Sequence, residues 1–144
     1  MKVIVQRSKY SSVKVDNKIV GQIKKGFVLL VGFTESDNEV VIDKMVDKIL
    51  CLRIFNDENG VMNNNIIDDG GEILSISQFT LYAETKKGNR PSYIKALSSD
   101  KAKVLYDYFN QKLNKFINVE TGIFGSDMLV SIENDGPVTI SLEM

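Results

Sequence analysis

Ser77-Gln78-Phe79-Thr80 is the first place in the chain where side chains capable of chemistry gather. Two hydroxyls, an amide and an aromatic ring follow directly on Ile73-Leu74-Ser75-Ile76. If Ile73 to Tyr82 is one strand, alternate residues share a face. Leu74 and Ile76 then lead on to Gln78 and Thr80, while Ile73, Ser75, Ser77 and Phe79 line the other side. One face turns from apolar to polar as the strand leaves the core, which suits a site or simply a strand end meeting water. A second segment, Asn134-Asp135-Gly136-Pro137-Val138-Thr139, holds one of the two prolines. It reads as a hairpin turn. About 5–6% of X–Pro bonds in folded proteins are cis, and a cis bond here would point two successive carbonyls in an unusual common direction. The third segment, Lys86-Lys87-Gly88-Asn89-Arg90-Pro91-Ser92-Tyr93, has three positive charges, no acidic residue and an aromatic able to stack on a base. On charge alone it is equally an ordinary solvated loop.

Several chemistries are excluded by composition. The 144 residues contain no histidine and a single cysteine, Cys51. One chain therefore cannot form a Ser-His-Asp or Cys-His unit, nor a zinc site that needs imidazole. It can form neither an intrachain disulfide nor a thiolate cluster, which suits a reducing compartment. Cys51 is expected as a small buried hydrophobe. Asn56-Asp57-Glu58-Asn59-Gly60 has a calcium-loop look but lacks the late bidentate Glu, since Ile67 stands there, so a solvated turn is expected. Gly122 and Gly125 form a lone G-x-x-G, in itself a turn. Neither a P-loop nor a dinucleotide fingerprint is present. The net charge of -1 provides no global positive field, so any nucleic-acid contact must come from a local patch. Met1 to Ser8 lacks an apolar secretory region, and the longest apolar run, Phe27 to Val31, is far short of the roughly 20 residues that span a bilayer. The expected address is the cytoplasm.

The elements that must position these segments follow from periodicity. Val3 and Val5, then Val13 and Val15, alternate with polar neighbours as strands do, and Asp16-Asn17 predicts a turn before Ile19 to Ile23. Phe27 to Phe33 predicts a central strand. Ser36 and Glu39 have capping-box spacing. The following helix puts Val41, Met45, Ile49 and Leu52 on one stripe with Val46 and Leu50 beside it, and Cys51 on its flank. Asn56 to Asn65 reads as a loop, and Glu84 to Ser92 as a basic one. A second amphipathic helix carries Leu105, Tyr108, Phe109, Leu113 and Phe116. Met128 to Ile132 and Val138 to Leu142 predict two closing strands. Two helices are too few to cover both faces of a parallel sheet. One α/β (α+β) domain over residues 1–144, with an antiparallel or mixed sheet, is expected.

Taken together, the segments resemble the D-aminoacyl-tRNA deacylase family of the D-tyrosyl-tRNA deacylase type. The likeness runs from Gln6-Arg7 through Leu52-Arg53-Ile54-Phe55, Ser77-Gln78-Phe79-Thr80-Leu81, Lys87-Gly88 with Arg90-Pro91-Ser92, and Gly122 with Phe124-Gly125 and Met128, to Asn134–Thr139. Ser126, where the family commonly has Ala, and Asn63-Asn64-Asn65, in place of a more apolar stretch, are mild departures outside the two signature motifs. The resemblance implies hydrolysis of the ester joining a D-amino acid, or glycine, to the 3′ end of tRNA, as chiral proofreading in translation. It implies a homodimer in which a cis Gly136-Pro137 enters the partner's site and its carbonyls exclude L side chains. Ser77, Gln78, Phe79 and Thr80 would be the catalytic segment. Gly136, Pro137, Arg7 and Met128 would serve substrate binding and chiral rejection, and Lys86, Lys87 and Arg90 would meet tRNA phosphates. No metal or other cofactor is implied, and neither DNA nor a membrane is expected as a partner. Backbone N–H groups near Phe79 and Thr80 would stabilise the oxyanion, and the neighbouring ribose hydroxyl would assist. Thr80 as a covalent nucleophile is the weaker alternative, for want of a base to deprotonate it. Two other classes compete: a dimeric RNA- or ligand-binding domain of the same fold without turnover, and a general esterase indifferent to stereochemistry.

Overall fold

The computed structural model describes residues 1–86 and 88–144. Strand β1 (Lys2–Val15) opens the chain, and β2 (Lys18–Ile23) pairs back on it antiparallel through Asp16 and Asn17. Both turn residues have positive φ, 49° and 63°, as a tight hairpin between right-twisted strands demands. Strand β3 (Gly26–Gly32) lies between β1 and β6 (Glu72–Ser77), and β7 (Val119–Thr121) follows β6. The β3–β6 and β6–β7 pairings are parallel, so the sheet is mixed. Each parallel pair needs a crossover, supplied by helices α1 (Glu39–Leu50) and α2 (Ser99–Leu113). Two crossovers of one hand running in one direction place both helices on the same face.

That face carries the larger core, where Val3, Val5, Phe27, Leu29 and Ile73 meet Ile42, Met45, Ile49, Tyr106 and Phe109. A smaller core of Val13, Ile23, Val28, Leu74 and Ile76 lies on the opposite face. The expectation that Phe27 to Phe33 is central holds, because both faces of β3 are buried and an unbroken apolar run results. The last strand, β8 (Leu129–Glu143), is 15 residues long and pairs with nearly all of β1. Both strands change core partway. Val3 and Val5 of β1 belong to the large core but Val13 to the small one, while Val130 and Ile132 of β8 pack on the small core and Val138, Ile140 and Leu142 on the large one.

Several local expectations are corrected. The helix cap is Asn38, whose side chain accepts from the N–H groups of Val40 and Val41, so Ser36 and Glu39 form no capping box. The buried stripe centres on Ile42, Met45, Val46, Ile49 and Leu50, while Val41 and Leu52 are only half-buried. Cys51 is exposed, because α1 ends at Leu50 and Cys51 turns outward as its C-cap. Asn56 to Asn65 is not wholly loop: Phe55–Asn56 (β4) and Met62–Asn64 (β5) form a small hairpin. The Asp57 carboxylate accepts from the N–H groups of Asn59 and Val61 and closes its turn. In α2 the buried residues are Tyr106, Phe109 and Leu113, whereas Phe116 lies beyond the helix and is exposed. The expected turn at Asn134–Thr139, with strands on either side, is instead the middle of one strand.

Candidate active site

Strand β6 ends at Ser77, and Phe79–Tyr82 form a single 3₁₀ turn. The expected alternation of faces therefore stops before Gln78, and Thr80 does not continue the face of Leu74 and Ile76. The turn is tied to the sheet by the Gln78 N–H donating to the Val31 carbonyl at 2.7 Å. Gly32 permits this approach, since a Cβ there would lie 2.9 Å from the Gln78 carbonyl oxygen and 3.2 Å from Leu81 Cβ. Gln78 Nε2 donates to Thr80 Oγ1 at 2.5 Å. The Leu81 N–H donates to the Gln78 carbonyl and the Ala83 N–H to the Thr80 carbonyl. The N–H groups of Phe79 and Thr80 stand at the start of the turn, where a helix has no internal partner to offer.

A cavity of about 590 Å³ opens beside this turn, at the carboxyl ends of the parallel strands β3 and β6. That is where open α/β sheets take their ligands. Ser77, Gln78 and Phe79 line it on one side and Phe124, Asp127 and Met128 on another. Phe79 is 57% exposed and meets Tyr93, also on the lining, edge to face at 5.0 Å between ring centroids. Tyr106 hydrogen-bonds to the Ser75 carbonyl at 2.8 Å and packs at 5.6 Å on Phe124, which supports the cavity from below. Burial pushes the Tyr106 phenol upward, so it remains a donor at neutral pH. Burial, with Asp37 and Glu143 adding to it, likewise raises Tyr82.

Arg7, Gly136 and Pro137 are not on this lining. Arg7 is buried on β1 where the pairing with β8 shifts register, and its Nη1 donates to the Ile54 carbonyl at 2.7 Å. Its Nε lies 3.0 Å from Asp135 Oδ2, within ion-pair distance but off the line of the N–H. Gly136 and Pro137 are exposed beside it and joined by a cis peptide bond. Among the predicted site residues, the chain thus brings Ser77, Gln78, Phe79 and Met128 together at the cavity, with Thr80 hydrogen-bonded to Gln78, and keeps Arg7, Gly136 and Pro137 apart.

A full-length match sets this arrangement in context. The model for D-Tyr-tRNA(Tyr) deacylase matches residues 4–143. The chain belongs to the D-Tyr-tRNA(Tyr) deacylase family. A D-aminoacyl-tRNA deacylase of Lactobacillus gasseri is 54% identical, with 100% of each chain covered. A solved structure described as the c-Myc DNA unwinding element binding protein is 39% identical, with a TM-score of 0.95 over 100% of this chain and 99% of that one. A second, described as a probable eukaryotic D-amino acid tRNA deacylase, is 18% identical with a TM-score of 0.86, covering 99% of this chain and 98% of that one, and speaks for the fold alone.

In this deacylase-family chain the basic segment from Lys86 to Arg90 is exposed where described, and Lys87 lies outside the described residues. Its base is an isolated bridge between Glu84 and Ser92. Glu84 accepts from the Lys86 N–H and pairs with Lys95 at 3.2 Å, and these contacts, the first foremost, hold its carboxyl below the usual glutamate range. Charge counting along Lys86 to Tyr93 missed this acid. The sequence reading names Tyr93 only as an aromatic able to stack on a base and does not single out Ser99, Ala102 or Asp127, all of which line the cavity. Ser99 and Ala102, small residues three apart at the start of α2, carried a signal for a close approach on one helix face. Asp127 carried none.

Proposed function

We propose that the cavity beside Phe79 and Thr80 is where the ester of a D-aminoacyl-tRNA is hydrolysed, the activity for which the family is named. The observation that carries this reading is the pair of backbone N–H groups at the start of the Phe79–Tyr82 turn, at the edge of a cavity large enough for an aminoacyl-adenosine end. Water attack on the ester produces a tetrahedral oxyanion, and such donors stabilise that charge as it develops. The chain has no histidine to serve as base. An aminoacyl ester is already activated, and the vicinal ribose hydroxyl can assist its departure. Thr80 Oγ1 accepts the Gln78 amide hydrogen, a contact that orients the hydroxyl without making it basic.

The chain acts as a homodimer in which Gly136 and Pro137 of one protomer enter the cavity of the other. Their exposure, and their absence from the cavity of their own chain, support this reading. Main-chain carbonyls at that point reject L side chains whatever their chemistry, because fixed atoms exclude by collision. Glycyl esters pass the same filter, having no side chain to exclude. Arg7 backs the segment and Met128 lines the cavity. Lys86, Lys87 and Arg90 meet acceptor-end phosphates. The work is cytoplasmic, where aminoacyl-tRNA is made and used. DNA binding, the property named for one structural relative, has less support, since a net charge of -1 offers no field for a duplex.

The test is deacylation of D-Tyr-tRNA and L-Tyr-tRNA side by side, with chelator present. Rapid loss of the D ester alone is expected. Loss of neither ester would favour a binding domain without turnover, and loss of both would remove the chiral filter from the account.

A further inference from the structure

The pairing of β1 with β8 jumps from Gln6↔Thr139 to Ser8↔Asn134. Over that interval β1 advances two residues while β8 passes five. Asp135 to Val138 therefore stand off the ladder as a wide bulge, and Asn134 and Thr139 are the two residues at its base. Their side chains close that base. The Asn134 amide nitrogen donates to the Arg7 carbonyl at 3.0 Å and the Val138 carbonyl at 3.1 Å, and its oxygen accepts from Gln6 Nε2 at 3.1 Å and Thr139 Oγ1 at 2.9 Å. The opposite orientation would set the oxygen against two carbonyls. All the hydrogen-bonding capacity of one amide is used, half of it on β1 and half on β8. The bulge has little slack above this staple. Gly136 has a φ of +111°, and a Cβ there would stand 2.8 Å from Val138 Cγ2 and 3.1 Å from Arg7 Nη2.

We propose that Asn134 and Thr139 are positioning residues for Gly136 and Pro137, and that their hydrogen bond across the base of the bulge sets the D-to-L selectivity of the enzyme. The inference rests on the reading of Gly136-Pro137 as the chiral filter. It follows from the geometry of exclusion. A filter made of fixed atoms is only as sharp as their placement, and here one amide bridges the two strands at the base of the bulge while Arg7 holds Asp135 within it.

The experiment compares kcat/KM for D-Tyr-tRNA and L-Tyr-tRNA in the wild type, Asn134→Asp, Thr139→Val, Thr139→Ser and Gly136→Ala. Asn134→Asp keeps the shape but turns an oxygen toward two carbonyls. It should lower the D-to-L ratio at least tenfold because the L ester gains turnover. A general loss of structure would lower both esters together and leave the ratio in place. Thr139→Val removes the donor and should move the ratio the same way, and Thr139→Ser, which keeps the hydroxyl, should restore it. If Asn134→Asp fails to fold, the Thr139 pair carries the test. A ratio unmoved by Asn134→Asp and Thr139→Val but lowered by Gly136→Ala overturns the positioning role alone. A ratio unmoved by Gly136→Ala as well overturns the filter on which it rests.

Discussion

The turn after β6 and the bulge in β8 are held by opposite means. At the turn, Gln78 bonds Thr80 two residues away, and among the described residues the one distant hydrogen bond is from the Gln78 N–H to the Val31 carbonyl. At the bulge, Arg7 reaches Ile54 and Asp135, and Gln6 reaches across 133 residues of chain to Thr139. The first region is built by local chemistry at the end of a buried strand. The second exists only when two long strands are in register. Damage to the turn should therefore appear in turnover, and damage to the bulge in selectivity and stability.

The largest expected effect separates the two regions at the chemical step. Phe79→Pro removes one N–H at the first position of a helical turn, where proline is tolerated. Single-turnover kcat should fall by about 2.7–4 kcal/mol of transition-state stabilisation relative to a Phe79→Leu control. Thr80→Ala should cost less than about 1.4 kcal/mol, a factor of ten. A collapse of turnover in Thr80→Ala with an intact fold would instead make its hydroxyl the nucleophile.

Next comes the bulge. Arg7→Met takes the donor from the buried Ile54 carbonyl and leaves Asp135 with the exposed Lys9, 3.5 Å away. Breaking a fully buried pair costs about 3–5 kcal/mol, and because Asp135 keeps some contact with water the loss here should be about 2–3 kcal/mol, read from urea midpoints. A midpoint unchanged from wild type would mean that the bulge stands without Arg7.

A smaller effect concerns neither region directly. Binding of substrate tRNA should weaken with salt at a slope of about two to three on a log–log plot, as three phosphate contacts imply. Lys86→Ala with Arg90→Ala should flatten that slope without altering the D-to-L ratio. An unchanged slope would take this loop out of the binding path.

The smallest effect lies on the helices. Asp43 accepts from Lys112 and Tyr108, and these contacts, Lys112 foremost, hold its carboxyl below the usual aspartate range. A carboxyl depressed in the folded state stabilises at pH above its ordinary value, and that contribution disappears as pH falls through the lowered one. Asp43→Asn should lower Tm slightly at neutral pH, and the difference should close in acid. A difference that persists at low pH would point to packing of Tyr108 instead.

Much of the framework was legible because burial writes itself into composition. The unbroken run Phe27 to Phe33 announced a strand covered on both faces, and Asp16-Asn17 announced a hairpin. The polar ending of β6 was also visible, although strand alternation carried Gln78 and Thr80 too far, since periodicity cannot show where a ladder loses its partner. Ser36 and Glu39 match the capping-box pattern, yet Asn38 caps the helix, because a cap is decided by where the first helical turn begins. Cys51 is exposed although periodicity puts it on the apolar flank, because one residue past a helix end decides between core and water.

What the sequence determined by itself was local: which runs are strands and helices, which end in polar groups, and which chemistries lack their residues altogether. The family likeness came from the same source, since motif order survives without coordinates. Only the tertiary structure decided that Asn134–Thr139 is a bulge in one 15-residue strand and not a turn between two, and that it lies outside its own cavity. The physical reason is range. A turn and a bulge use the same residues, and which one forms depends on whether a partner strand, here β1 from the far end of the chain, continues on both sides of it.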